Sequence, residues 1–265
     1  MIGLSVRVCV LGSGSHGNAT LIATEKTQLL VDAGFSRRET IARLAAADEQ
    51  ANGFDALIIS HEHSDHVRGL ESLTRDAAGR ATPIYLNEAT CDAIRWGRRA
   101  KAFELFKPGE TFAVGDIEIT PFTVPHDAAD PVAFRFDTQG IGIGLVTDLG
   151  YIPELVKRHV AGCHCLIFES NHDLEMLKVG PYPWVVKQRV MSRHGHLSNL
   201  ATAEFLREDF DGAARVLVLA HLSQNNNHPE IARMSALEAL SARGRGKALE
   251  LSLASQSAPT PVFRF

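Results

Sequence analysis

Six consecutive residues carry the densest chemistry in the chain: His61-Glu62-His63-Ser64-Asp65-His66, the pattern H-x-H-x-D-H. In extended backbone alternate side chains share a direction, so His61 and His63 point the same way and can hold one ion. Asp65 and His66, on the turn that follows, can reach a second. A polar loop with histidines by chance is the competing reading, and four metal-competent groups in so short a run weigh against it. Three further candidates stand directly behind apolar runs: His126 after EITPFTVP, Asp148 after GIGLVT and His221 after RVLVLA, as His61 itself follows ALIIS. Strand ends are where an open α/β sheet puts its ligand crevice, so these residues can converge. Two cations about 3.5 to 4 Å apart that share a carboxylate and a hydroxide lower the pKa of that water and clamp a phosphoryl or acyl oxygen.

Hydrophobic patterning supplies the elements to hold these groups. VRVCVL, ATLIA, QLLVD and ALIIS read as strands around the glycine loop GSGSHGN, with an amphipathic helix from Arg37 whose start is marked by Ser36 and Glu39 at capping-box spacing. Behind the histidine run come a helix, the strand PIYLN and a helix over residues 88–99 that Asn87 caps. TFAVGDIEITPFTV and PVAFRFDTQGIGIGLVTD alternate and break at Gly115-Asp116 and Gln139-Gly140, as hairpins do. From Pro153 helix and strand alternate: a helix, CLIFES, helical segments around Trp184 and from Ser198, RVLVLAHL, a helix from Pro229, and ALELSLAS. Two strand-rich runs, each with helices to cover it, predict an α/β fold of the αββα four-layer sandwich type, built by residues 1–265 as a single domain.

With 45% hydrophobic and 22% charged residues, the chain of 265 residues has the means to bury a sizeable core and is unlike a disordered or fibrous sequence. A formal charge of -4 excludes a strongly basic coat, so nucleic acid would have to be met by a local patch. The opening MIGLSVRVCVLGSGSHG turns glycine-rich too soon for a secretory signal, and no apolar run reaches the length of a membrane span. A cytoplasmic protein without membrane contact is expected. Cys9, Cys91, Cys163 and Cys165 lie in or near apolar segments, which suits reduced, buried thiols. The C-x-C of Cys163 and Cys165 lacks a second cysteine pair to complete a metal site.

H-x-H-x-D-H after an apolar strand, VDAG upstream at Val31 to Gly34, and the later single His, Asp and His resemble the metallo-β-lactamase superfamily over nearly the whole chain. The resemblance implies that His61, His63 and His126 bind one divalent ion and Asp65, His66 and His221 another, with Asp148 bridging. It also implies that Asp32 supports the metal loop; capping the turn before Gly34 is a compatible role. LIFESNHD, GHLSN and LAHLSQNN are similar to segments of the nuclease branch, notably tRNase Z, in which a Glu orients a histidine that protonates the leaving oxygen. Those roles map onto Glu169 and His196, and a carboxylate beside an imidazole does favour the acid form that such a step needs. A structural ion pair is the plainer alternative. Together SGSHGN, SHEHSDHVRG, ESNHD, GPYPWVVKQRV, GHLSN and LAHLSQNNNHPE resemble the YycJ (WalJ) family of small bacterial metallo-hydrolases, which implies phosphodiesterase or 5′ to 3′ exonuclease activity on DNA rather than RNA.

Ser13, His16 and Asn18 in the glycine loop could line the site, its backbone N–H groups meeting a phosphate, and a tight strand-to-strand turn accounts for the glycines equally well. His172 lies in a loop that the matching families place near the metals. Lys187 and Arg189, with Arg193, form a basic cluster ahead of His196 that could contact phosphates or be a solvated helix face. Histidine-rich ligation suits Zn²⁺, and the carboxylates tolerate Mn²⁺ or Fe²⁺. Two other activities use the same ligands without needing Glu169 and His196: a thioester hydrolase of the glyoxalase II kind and a lactam hydrolase. A cyclic-phosphate phosphodiesterase and a nucleic-acid-binding protein without turnover complete the alternatives.

Overall fold

The computed structural model describes residues 5–50, 53–74, 79–97, 102–242 and 249–265. Strands β1 (Arg7–Gly12), β2 (Ala19–Ala23), β3 (Gln28–Val31), β4 (Ala56–Ile58), β5 (Ile84–Leu86) and β6 (Phe103–Leu105) form one sheet. Strands β7 (Phe112–Val114), β8 (Ile117–Thr123), β9 (Val132–Thr138), β10 (Ile141–Val146), β11 (Cys165–Glu169), β12 (Val216–Ala220) and β13 (Glu250–Leu253) form the other. β14 (Phe263–Arg264) returns to pair antiparallel with β1. Each sheet is mixed: β3 to β6 run parallel, as do β10 to β13, and the remaining pairs are antiparallel.

Period-two alternation explains the layering. Val8 and Val10 of β1, Leu29 and Val31 of β3, and Ile58 of β4 face Phe134, Phe136, Ile143, Ile167 and Val218 across the central core. Their chain neighbours Cys9, Leu11, Leu30 and Leu57 face outward beneath helices α1 (Arg37–Ala46), α2 (Ser64–Val67), α3 (Leu70–Leu73) and α4 (Glu88–Ala93), with Leu44, Leu70 and Leu73 packed on them. On the second sheet Leu166, Phe168, Leu217 and Leu219 lie under α5 (Glu154–Val160), α8 (Asn199–Glu208) and α9 (Pro229–Ala242). Both faces of these strands are therefore covered, which is why CLIFE and VLVLA read as unbroken apolar runs. Truncating a ring of the central core, such as Phe136, would cost about 3–5 kcal/mol. The αββα sandwich expected from the sequence is the observed fold.

Local signals were read unevenly. Ser36 does cap α1, accepting the Glu39 N–H at 3.3 Å, but Glu39 turns its carboxylate to Arg43 at 2.8 Å, so the capping box is half made. Asn87 caps α4 through the Thr90 N–H at 2.8 Å. That helix ends at Ala93 and not near residue 99: Ile94 is extended (φ -77, ψ 131), and the Trp96 indole N–H folds back onto the Cys91 carbonyl at 2.8 Å. Residues 98 and 99 lie outside the described residues. Gln139 and Gly140 turn the β9–β10 hairpin with φ 52 and 78, both left-handed as a type I′ turn requires.

Candidate metal centre

The C-terminal ends of β3, β4, β10, β11 and β12 open on one crevice, and the chain leaves three of them through left-handed backbone. Asp32 (φ 60), Asp148 (φ 61) and His221 (φ 57) each stand just past a strand in a conformation that non-glycine residues seldom adopt. All seven sequence-predicted ligands meet here. His61, His63 and His126 offer one ligand atom each within 4.8 Å of one another, as do Asp65, His66 and His221, and as do His61, His66 and Asp148. Asp148 lies between the first two groups: its Oδ2 is 3.4 Å from His66 Nε2 and its Oδ1 is 3.9 Å from His126 Nε2.

Hydrogen bonds on the far side of each ring decide which nitrogen faces inward. His66 Nδ1 meets Asp32 at 2.7 Å, His126 Nδ1 the Gly195 carbonyl at 3.1 Å, His61 Nδ1 the Ser60 hydroxyl at 3.0 Å and His221 Nδ1 Glu169 at 2.8 Å. Each leaves Nε2 for the centre, the arrangement found around metal-binding histidines. Asp32 spends its carboxylate on Ser60 as well, accepting its N–H and O–H at 2.9 Å, so it supports the metal loop directly and is not a turn cap. The fit to cations rests on what has no partner: His61 Nε2, His221 Nε2 and Asp148 Oδ2 are buried without a hydrogen bond. Leaving buried polar atoms unpaired costs about 1–3 kcal/mol each, and a cation is the group these three donors suit.

Electrostatics separate the ligands. Burial, reinforced by His66, holds His61 well below the ordinary histidine value, and burial also lowers His126. His66 and His221 go the other way: burial opposes the proton, but Asp32 and Asp148 outweigh it at the first, and Asp148 with the neighbouring carboxylates of Asp65 and Glu169 at the second. Glu169 is buried, which raises its pKa, yet His196 and His221 bring it down to about 2.

Glu169 holds more than the sequence suggested. Its Oε1 accepts from His196 Nδ1 at 2.9 Å and His221 Nδ1 at 2.8 Å, and its Oε2 takes the Leu149 and Leu197 N–H groups at 3.1 and 3.0 Å. With no exposed surface it cannot touch a substrate and can only position the two rings. His196 is one-fifth exposed and lines the crevice, a cavity of about 280 Å³ shared with His63, Asp65, Asp148 and His221.

The remaining candidates divide. Arg189 lines the cavity, paired to Asp127. Lys187 does not: it is buried, and its ammonium donates to the Lys178 carbonyl at 2.7 Å, tying α7 (Trp184–Val190) to the end of α6 (Leu174–Val179). An amphipathic stem long enough to reach back along the helix explains why a lysine is spent on structure. Ser13 and Asn18 are buried beneath the ligands. The Ser13 hydroxyl donates to Asn18 Oδ1 and accepts the His221 N–H, both at 2.9 Å, while Asn18 Nδ2 lies 3.3 Å from Asp65 Oδ2. The glycine loop thus joins candidate ligands from the two sheets, as a tight turn; Ser13 and Asn18 do not line the cavity, although Ser15 of the same loop does. His16 is exposed in a neighbouring hollow with Arg68 and Ser36, and His172 is buried with Nδ1 unpaired, so neither lines the cavity. Ser60, Asp127 and Asn171, whose Nδ2 donates to the His221 carbonyl at 2.7 Å, escaped the sequence reading. The first two had a signal, being chain neighbours of His61 and His126.

Residues 27–222 match the model of the β-lactamase superfamily domain. The chain is 36% identical to exodeoxyribonuclease YycJ of Bacillus anthracis over 98% of its own length and 99% of the relative's. It is 34% identical to exodeoxyribonuclease WalJ of Streptococcus pneumoniae over 98% and 97%. Among solved structures it is similar to the metallo-β-lactamase fold protein YhfI of Bacillus subtilis, with TM-score 0.74, 19% identity, and 98% and 100% of the two chains covered. Among the described residues no helix is long and apolar enough to cross a membrane.

Proposed function

Since this chain belongs to the metallo-β-lactamase superfamily, and within it to the YycJ and WalJ family, we propose that it is a phosphodiesterase that degrades DNA from the 5′ end, its whole length acting as one domain. It is a metal-dependent hydrolase. In this reading His61, His63 and His126 hold one divalent cation, Asp65, His66 and His221 the other, and Asp148 both; Zn²⁺ or Mn²⁺ suits the donors, and Fe²⁺ is compatible. Bound there, the cations supply an activated water and neutralise phosphate charge. Asp32 and Ser60 hold the rings of His66 and His61, and Glu169 holds those of His196 and His221. His196, fixed through Nδ1, turns Nε2 to the cavity and delivers a proton to the departing oxygen. Arg189, which also lines the cavity, meets a non-bridging phosphate oxygen.

One observation carries the choice of reaction: a cavity-lining imidazole, His196, bonded through Nδ1 to Glu169 at 2.9 Å beside the ligand cluster. Thioester hydrolysis expels a thiolate, which is weakly basic and leaves without a proton, so that reaction does not call for the pair. His196→Ala is expected to lower kcat on 5′-phosphorylated DNA by about 10²–10⁴-fold. Metal content should not change, and the loss should shrink on a p-nitrophenyl ester, whose leaving oxygen needs no proton. Full DNA turnover by the variant would end the general-acid assignment. A panel of DNA, RNA, a cyclic phosphate, a glutathione thioester and nitrocefin, with Mn²⁺ or Zn²⁺, tests the substrate class. Cleavage of only the last two overturns it.

A further inference from the structure

Part of the cavity lining is not required by metal chemistry alone. Val186, Arg189 and Val190 of α7 face the cavity at i, i+3 and i+4, and Tyr182 stands on the segment that leads into that helix. Asn171 and Ser223 add an amide and a hydroxyl to the lining. The segment is held from several sides. Pro181 and Pro183 fix the backbone on either side of Tyr182. Gly180 packs so closely that a Cβ there would meet Asn226 Oδ1 at 2.2 Å and the Met176 carbonyl at 2.8 Å. Asn225 Nδ2 donates to the Tyr182 hydroxyl at 3.3 Å, and the buried Lys187 ammonium ties α7 to α6 at 2.7 Å.

A phenol ring, apolar side chains, a guanidinium and neutral polar groups gathered on one cavity match a nucleoside phosphate. A cavity of about 280 Å³ has room for a single nucleotide and not for a duplex. We propose that Tyr182 is the stacking platform for the base of the nucleotide next to the scissile phosphate, with Val186 and Val190 packing its edge. Every base has a π-face, so such a platform grips without reading sequence. The inference rests on the phosphodiesterase reading and adds to it that the base, as well as the phosphate, is bound.

Two chromogenic esters with the same leaving group separate these contributions: thymidine 5′-(p-nitrophenyl phosphate) and methyl p-nitrophenyl phosphate, with metal-loaded protein. The wild type should favour the thymidine ester through KM. Tyr182→Ala should reduce that preference about tenfold to a hundredfold, mainly in KM, while Tyr182→Phe and Tyr182→Trp retain it. An unchanged preference in Tyr182→Ala overturns the platform. Should Tyr182→Ala fail to fold, Tyr182→Leu keeps the apolar bulk without the π-face and is judged in the same way. A wild type that turns over neither ester defeats the phosphodiesterase reading. Thymidine 5′-monophosphate binding by calorimetry then decides the platform, since equal affinity in wild type and Tyr182→Ala sinks it.

Discussion

Buried among imidazoles, Asp148 has an Oδ2 with no hydrogen-bond partner, 3.4 Å from His66 Nε2, and an Oδ1 3.4 Å from His221 Nδ1. Burial raises its pKa, but His221 and His66 hold it well below the usual carboxylate range, so the charge persists. A fixed charge with an unpaired oxygen, placed between two ligand triads, is what two cations can share. Asp148→Asn keeps shape and left-handed backbone while removing the charge. Its metal content is expected to fall from two ions per chain to about one or fewer, with activity lost. Two tightly held ions in Asp148→Asn, measured by elemental analysis, would show that it does not bridge. The protons on His66 and His221 give a second outcome. Both are raised above the ordinary histidine value in the metal-free protein, so an entering cation must displace them. Uptake should release about one to two protons per chain near neutral pH and weaken as pH falls. Calorimetry in buffers of different ionisation enthalpy checks this, and uptake without proton release would refute it.

The elements contribute direction. The parallel strands β3, β4, β10, β11 and β12 end where a candidate ligand or its support begins, and the left-handed residues Asp32, Asp148 and His221 turn the chain across the sheet end. Held backbone of this kind needs fastening, and at His221 the Ser13 hydroxyl and the Asn171 amide clasp the N–H and the carbonyl at 2.9 and 2.7 Å. Ser13→Ala releases one of these and loosens Asn18, which also touches Asp65, so the ion shared by Asp65 and His221 is the one affected. A drop of about 10- to 100-fold in affinity for one ion of the pair is expected. Equal weakening of both ions, or of neither, would be inconsistent with a brace. The convergence of the candidate ligands was legible because they sit in one dense motif and behind apolar strands, two signals that are local. The brace was not: Ser13 and His221 are 208 residues apart, and no periodicity records a bond of that span. Lys187 misled for a related reason, since a basic residue looks the same in sequence whether its ammonium meets phosphate or a carbonyl. Left-handed turns at Asp and His are likewise invisible where a glycine would have announced them.

At the scale of the whole molecule the centre is a seam. His61, His63, Asp65 and His66 follow β4 of the first sheet, whereas His126, Asp148 and His221 follow β8, β10 and β12 of the second. Cations held at the seam would therefore join the two halves of the sandwich. At a hundred times Kd each contributes about 2.7 kcal/mol, and a chain of this size gains about 2–4 °C per kcal/mol, so chelation of both should lower Tm by about 11–22 °C. Without cations the buried Asp148 and Glu169 face positive charge from protonated imidazoles, His66 and His221 among them. Because the folded state raises both histidines, their contribution is complete below the unfolded value of about 6.5 and disappears as pH rises through the raised values. Metal-free protein should accordingly lose stability between about pH 6.5 and the alkaline range. Loaded protein should not, its carboxylates being neutralised by ions that do not titrate. Thermal scans of chelated and loaded samples from pH 6 to 9 read the difference directly. Parallel pH profiles for the two would mean that the seam is not where the charges are balanced.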